Sequence, residues 1–130
     1  MIIDNMVYNT IMEISMKEFT VIAYEKEDGE SPVEDFINAL DVKMRAKMYG
    51  LLSILQEKGN SLREPYSKHL DDGIWELRPG NNRVLYFFFE KDTFVLLHHF
   101  RKKTQKTPPR EIEKAKSERA DYLSRKETSK

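Results

Sequence analysis

Two arginines, Arg78 and Arg83, stand on either side of Pro79-Gly-Asn-Asn82, a run whose composition spells a tight turn. If that turn closes a hairpin, Arg78 lies opposite Arg83, and cross-strand partners point to the same face of a sheet. Like charges set directly opposite each other destabilise a strand pair, so the arrangement suits an anion clamp better than a stabilising device. Two solvated arginines beside a turn are the alternative. Further along, Arg101, Lys102, Lys103, Lys106 and Arg110 form a basic run without an acid, interleaved with Thr104, Gln105 and Thr107, whose side chains can donate to phosphate oxygens. A solvated loop is the usual reading of such a run, but this one leaves the end of an apolar segment beside the arginine turn.

Register decides what joins the arginines. A two-residue turn at Lys91-Asp92 sets Arg83 opposite Phe100 and brings His98 and Lys102 to the face of Arg78 and Arg83. A one-residue bulge would bring His99, Arg101 and Lys103 there instead. His98 is a candidate for proton transfer, against the commoner role of a hydrogen-bonded core histidine. Lys68 and His69 precede the hairpin closely enough to extend the basic surface.

The chain offers no thiol, paired carboxylates, GxSxG elbow, phosphate-cradling glycine loop or metal-ligand spacing. Phosphodiester transfer in RNA is the chemistry that such a basic face suits. The 2′-hydroxyl is a nucleophile inside the substrate, so a protein need only align it, neutralise the developing phosphorane and move protons. Arginine and lysine serve the first two needs, and a lysine crowded by cations, its pKa depressed, can serve the third. The candidate catalytic residues are therefore Arg83, Arg78, Lys102 and His98. The candidate RNA contacts are Lys68, His69, Arg101, Lys103, Gln105 and Lys106, and no metal or other cofactor is expected.

A chain of 130 residues suits one domain, large enough to bury roughly two thirds of its unfolded surface without covalent or metal staples. Zero cysteines exclude a disulfide scaffold and fit a reducing compartment, so a cytoplasmic location is expected. The net charge of zero argues against a general nucleic-acid coat protein, but it hides an asymmetry. Residues 1–60 carry six Lys/Arg against eleven Asp/Glu, net −5, whereas residues 61–130 carry sixteen against eleven, net +5. Acids interrupt the apolar residues of 1–18, and no basic stretch precedes them, so this segment reads as neither signal peptide nor membrane span.

Positioning the basic face requires a sheet. Phe19-Thr-Val-Ile-Ala-Tyr24 is short, β-branched and aromatic and predicts a first strand. Ser31-Pro-Val-Glu34 has the form of a capping box and predicts a helix start, with Phe36, Ile37 and Leu40 on its apolar side. Asp41 caps a second helix whose stripe is Met44, Met48, Leu51, Leu52 and Leu55, stopped by Gly59. From Ile74 the period becomes two, predicting a three-stranded antiparallel meander. Val84 to Phe89 and Phe94 to Leu97 are apolar enough to be covered on both faces. Residues 111–125 have helical composition but little apolar stripe beyond Ile112, Ala115 and Leu123, so loose packing is expected.

Ser31-Pro-Val-Glu-Asp-Phe36, Lys68-His-Leu70, Ile74-Trp-Glu-Leu-Arg-Pro-Gly80, Arg83-Val-Leu-Tyr-Phe87, and Leu96-Leu-His98 through Lys102-Lys-Thr-Gln-Lys-Thr-Pro108 form an ordered string. It resembles the phage-derived, HigB-type branch of the RelE/HigB toxin superfamily from about Phe19 to Arg125. The resemblance implies an α+β, RelE-like microbial RNase fold: a small, mostly antiparallel sheet, an N-terminal strand plus the meander, flanked by two N-terminal helices and a C-terminal one. It also implies the toxin of a type II toxin-antitoxin system, a ribosome-dependent endoribonuclease (mRNA interferase) that cuts mRNA in the A site by metal-free 2′-hydroxyl attack. The implied partners are a helix-turn-helix antitoxin, the ribosome and mRNA, with no membrane and no small-molecule cofactor.

By position, Arg83 matches the arginine that RelE-like toxins set on the scissile phosphate, Lys102 falls near a second basic active-site residue, and Arg78 belongs to the same face. The chain departs from the best-known members at Glu76, where they carry a basic residue, and lacks an evident counterpart of their C-terminal active-site tyrosine unless Tyr122 is brought back. A degenerate toxin-fold protein that binds antitoxin or RNA without cutting is the alternative. The expected organisation is an extension at 1–18, one domain at 19–125 and a flexible tail at 126–130.

Overall fold

The structure, a computed structural model, describes residues 18–128, so the expected N-terminal extension lies outside the described residues apart from Glu18, as do Ser129 and Lys130 of the tail. Strand β1 (Thr20–Ala23) is followed by helices α1 (Pro32–Ala39) and α2 (Val42–Lys58) and a 3-10 turn at Gly59–Ser61. Then come β2 (Ser67–Asp71), β3 (Ile74–Leu77), β4 (Asn82–Phe89), β5 (Thr93–Arg101) and α3 (Pro109–Thr128). The sheet order is β1-β5-β4-β3-β2, with β2 to β5 successively antiparallel and β1 parallel to β5. This is the expected α+β architecture with one more strand. Ser67-Lys-His-Leu-Asp71 lacks the β-branched and aromatic residues that advertise a strand, and as an edge it can afford polar ones.

Helix α1 starts where expected, but not by the expected contact. The Ser31 hydroxyl makes no cap bond and instead donates to the Tyr24 carbonyl at 2.9 Å, tying the helix start to the end of β1. Asp41 does cap α2, accepting from the Met44 N–H at 2.8 Å. Gly59 ends it at φ 54° and ψ −128°, a positive-φ conformation open mainly to glycine, and any Cβ there would run into the Phe19 ring. Asp41→Ala is expected to cost about 1 kcal/mol, seen as a lower urea midpoint at unchanged m.

The two faces of the sheet bury separate cores. Val84, Tyr86, Phe94 and Leu96 meet Val33, Ile37, Met48 and Leu55 from α1 and α2. Leu85, Phe87, Val95 and Leu97 meet Ala115 and Tyr122 from α3. This double covering explains the nearly unbroken apolar runs of β4 and β5.

The turn between them differs from the expected two-residue turn. Phe89 pairs with Thr93, leaving the three residues Glu90 to Asp92 as the loop, with Glu90 at φ 54°. A bulge then shifts the pairing from Tyr86–Leu96 to Leu85–His98. The two departures cancel, and Arg83 faces Phe100 after all.

Helix α3 packs more firmly than expected. Ala115, Glu118 and Tyr122 form its buried stripe, whereas Leu123 is exposed. Tyr122 meets Phe87 and Phe89 edge-on at 6.1 and 5.2 Å. Lys116 pairs with Asp71 at 2.7 Å, and Arg119 binds the Asp72 carboxylate at 2.8 Å and its carbonyl at 2.6 Å. The helix is thereby tied to the β2–β3 turn, and it runs to Thr128, into the stretch expected as tail.

Candidate nucleic-acid interface

The β3–β4 register pairs Glu76 with Leu85 and Leu77 with Val84, where the ladder ends, and Arg78 and Arg83 are the next residues on either side of the turn. Between them sits an acid, Glu76. Glu76 is 2% exposed, and its Oε1 lies 3.4 Å from Arg78 Nε and 3.8 Å from Arg83 Nε. Its Oε2 accepts a hydrogen bond from Thr107 Oγ1, which pins the loop between β5 and α3 over the sheet. Alternation places Glu76, Arg78 and Arg83 on one face, so their proximity is legible; the Thr107 bond spans 31 positions and is not.

Arg83 is fixed from its own turn. Gly80, at φ 63°, lets the chain reverse, and Arg83 Nη1 donates to the carbonyls of Gly80 at 2.8 Å and Asn82 at 2.7 Å. Burial lowers its pKa from the usual arginine value, with Glu76 opposing and Arg78 adding to the shift. Arginine remains charged at any physiological pH nonetheless. Lys102 is held by its backbone N–H donating to Asn81 O at 2.7 Å, which extends the β4–β5 ladder past the turn.

Two adjoining cavities flank the loop. One, about 310 Å³, is lined by Arg83, Arg101, Lys102, Lys103, Lys106 and Arg110 with Thr104, Gln105 and Thr107, against the carboxylates of Glu76 and Glu111. The other, about 600 Å³, takes Arg78, Lys68 and His69 together with Glu76, Gln105 and Lys106. Glu76 lies at the floor of both. The expected basic residues are thus gathered into one double cleft, except that Arg78 and Arg83 open to its two different halves. The cleft is not acid-free as the sequence run suggested, because the fold adds Glu76 and Glu111.

His98 stays behind the cleft. Its Nε2 is 2.7 Å from Glu111 Oε1 and its Nδ1 is 3.9 Å from Glu118 Oε1, so it reaches the cleft only through Glu111. Tyr122, buried between Phe87 and Phe89, is not brought to the cleft. Lys68 pairs across the strands with Glu76 and His69 with Trp75, which turns these two neighbours to opposite faces of the edge strand. Among the described residues, no group of three or more His, Asp or Glu side chains is placed to hold a metal ion. Nor is any helix among them long and apolar enough to cross a membrane.

Glu118 is 5% exposed, and its Oε1 has no hydrogen-bond partner among the described residues. Burial raises its pKa, opposed by the charges of His98, Lys114 and Lys26. The unfolded chain therefore ionises first as pH rises, and folding loses stability from the ordinary glutamate range up to the raised folded pKa. Glu118→Gln is expected to stabilise the protein at neutral pH, with the gain vanishing in acid. Denaturant titrations across pH check this, and a gain independent of pH would contradict it.

The fold and cleft together are a sheet covered on both faces, with a double cleft lined mostly by basic side chains at the open end of its central hairpin. The chain belongs to the phage derived protein Gp49-like family (DUF891), whose family model matches residues 35–120, a span that includes the cleft. This is a family of RelE-like, toxin-type proteins. No curated protein matches the chain.

Proposed function

We propose that the protein is the toxin of a type II toxin-antitoxin pair, of the HigB type, and acts in the cytoplasm as a ribosome-dependent mRNA endoribonuclease. The observation that carries this reading is Arg83. It is a buried guanidinium held by its own turn at the floor of a cleft whose wall is the basic loop 101–110. A scissile phosphate lodged there meets fixed positive charge, while the attacking 2′-hydroxyl comes with the substrate. Arg78 and Lys102 flank the phosphate, and Lys68, His69, Arg101, Lys103, Gln105 and Lys106 hold the strand. His98, through Glu111, is the group nearest to a proton relay.

A helix-turn-helix antitoxin restrains the protein in this reading. The test is cleavage of mRNA on programmed ribosomes by purified protein. A cut should appear on ribosomes, scarcely on free RNA, and not where the attacking nucleotide is 2′-deoxy. Vigorous cleavage of naked RNA would overturn the ribosome requirement.

A second reading rests on Glu76, whose carboxylate occupies the place between Arg78 and Arg83 where an external anion would sit. In that case the protein binds RNA or antitoxin without cutting, and the same assay shows ribosome binding with no product.

Arg101, Lys103 and Lys106 contribute by phosphate contact in either reading. Their triple alanine variant is expected to bind with a salt slope lower by about 2, at roughly 0.7 per single-strand phosphate contact, and with unchanged codon preference. An unchanged slope would return these residues to the solvent.

A further inference from the structure

A third cavity, about 420 Å³, opens at the β2 edge and is lined by Arg63, Glu64, Ser67, Lys68, His69 and Trp75. The half-buried Trp75 packs against the core of the α1–α2 face, with the Arg63 guanidinium 5.2 Å above its ring centre. His69, its cross-strand partner, meets the ring edge-on at 5.1 Å. Arg63 is held in place by Nη1 donating to the Asn60 and Leu62 carbonyls, so the guanidinium is ordered before any ligand arrives. The acid of this group, Glu64, lies 3.6 Å from Arg78 Nη1, which answers its charge. Lys68 and His69 line both this cavity and the larger half of the basic cleft, making one track around the sheet edge.

We propose that this rim is a nucleobase-stacking subsite that holds an RNA base flanking the scissile nucleotide. The inference rests on the RNA-cleaving reading above and names a second point at which the same strand is gripped. Planar guanidinium and aromatic faces accept any base by stacking, and Lys68 supplies a phosphate contact at the corner. The cavity is within the range of ligand clefts, about 300–1,000 Å³. Its lining combines cations and rings without the aliphatic anchors that a peptide helix would need. The subsite lends grip without codon preference, because stacking reads the π-face that all bases share.

Trp75 is the chain's one tryptophan, so its fluorescence reports the subsite directly. The probe is a fluorescently labelled 2′-O-methyl oligoadenylate hexamer, which lacks the attacking hydroxyl, with a fully abasic hexamer as control. The adenylate should quench Trp75 saturably, in step with binding seen by anisotropy, and the abasic hexamer should not. Arg63→Ala and His69→Ala should each weaken adenylate binding roughly fivefold or more, the lower end of what one stacked base contributes. Arg63→Lys, which keeps the charge and loses the plane, should behave like Arg63→Ala.

Leu123→Ala, on the exposed side of α3, should keep the quench. Binding without quenching, parental affinity in both alanine variants with native circular dichroism, or no binding at millimolar hexamer would each overturn the subsite. Quenching by an antitoxin peptide but not by the hexamer would assign the rim to a protein and overturn it too. Ribosomal cleavage without quenching removes the subsite alone, whereas quenching without cleavage removes only the catalytic reading.

Discussion

Arg83→Ala is expected to lower single-turnover cleavage on saturating programmed ribosomes by about 10²–10³-fold, or about 2.7–4 kcal/mol, the range for losing one preorganised donor to a developing oxyanion. Arg83 is 6% exposed and braced by two carbonyls of its own turn, so its charge is aimed before substrate arrives. A charge that needs no reorganisation favours the phosphorane over the ground-state phosphate, and the loss should fall on the chemical step more than on ribosome binding. Arg83→Lys should recover only part of the rate, since lysine keeps the charge but cannot place the forked donors that bridge Glu76 and the turn. A folded alanine variant within about threefold of the parent, roughly 0.7 kcal/mol, would take Arg83 out of catalysis.

Phe94→Ala is the substitution with the largest expected effect on stability, about 3–5 kcal/mol. Phe94 is 2% exposed, and its ring lies 4.9 Å from Phe88, 5.4 Å from Phe19 and 5.6 Å from Tyr86. It also pairs with Val21, so the void would open where the parallel strand β1 joins the sheet. Against a typical total of about 5–15 kcal/mol, the variant should be partly unfolded at physiological temperature. Urea denaturation measures the loss. Leu123→Ala, on the exposed side of α3, serves as the control and should stay within about 0.5 kcal/mol of the parent.

Local chemistry made several elements readable. Pro32 just inside α1 and Gly59 after α2 act through their own backbone geometry, Asp41 caps α2 with a side chain only three residues from its donor, and each stands where the sequence places it. The apolar runs of β4 and β5 likewise announce strands covered twice. What escaped depends on contacts between distant segments. Strand β2 is polar because its outer edge needs no partner, and α3 is anchored by Tyr122, Lys116 and Arg119 along with the expected Ala115, while Leu123 faces outward.

The site divides in the same way. Arg78 and Arg83 beside one another around Glu76, and Arg83 opposite Phe100, follow from period-two alternation around turns. Glu76 stands two residues before Arg78, so its shared face was available from the sequence, but its role as the hub between two arginines and Thr107 required the β5–α3 loop to fold back over the sheet. His98 fell on the expected face and was then claimed by two glutamates of α3, which no strand register could reveal.

The β4–β5 hairpin carries an added residue at each of two places, in the loop at Glu90–Asp92 and in the bulge beside Leu97. Each alone would invert the parity of the strand beyond it, turning His98, Phe100 and Lys102 away from Arg83. Together they restore it, so the loop end and the cleft end of one hairpin are matched in phase across the nine residues of β5. Changing the far loop by one residue would therefore leave the basic groups of β5 in line with Arg83 only if the bulge changed with it, so the phase of the cleft is a property of the two features together.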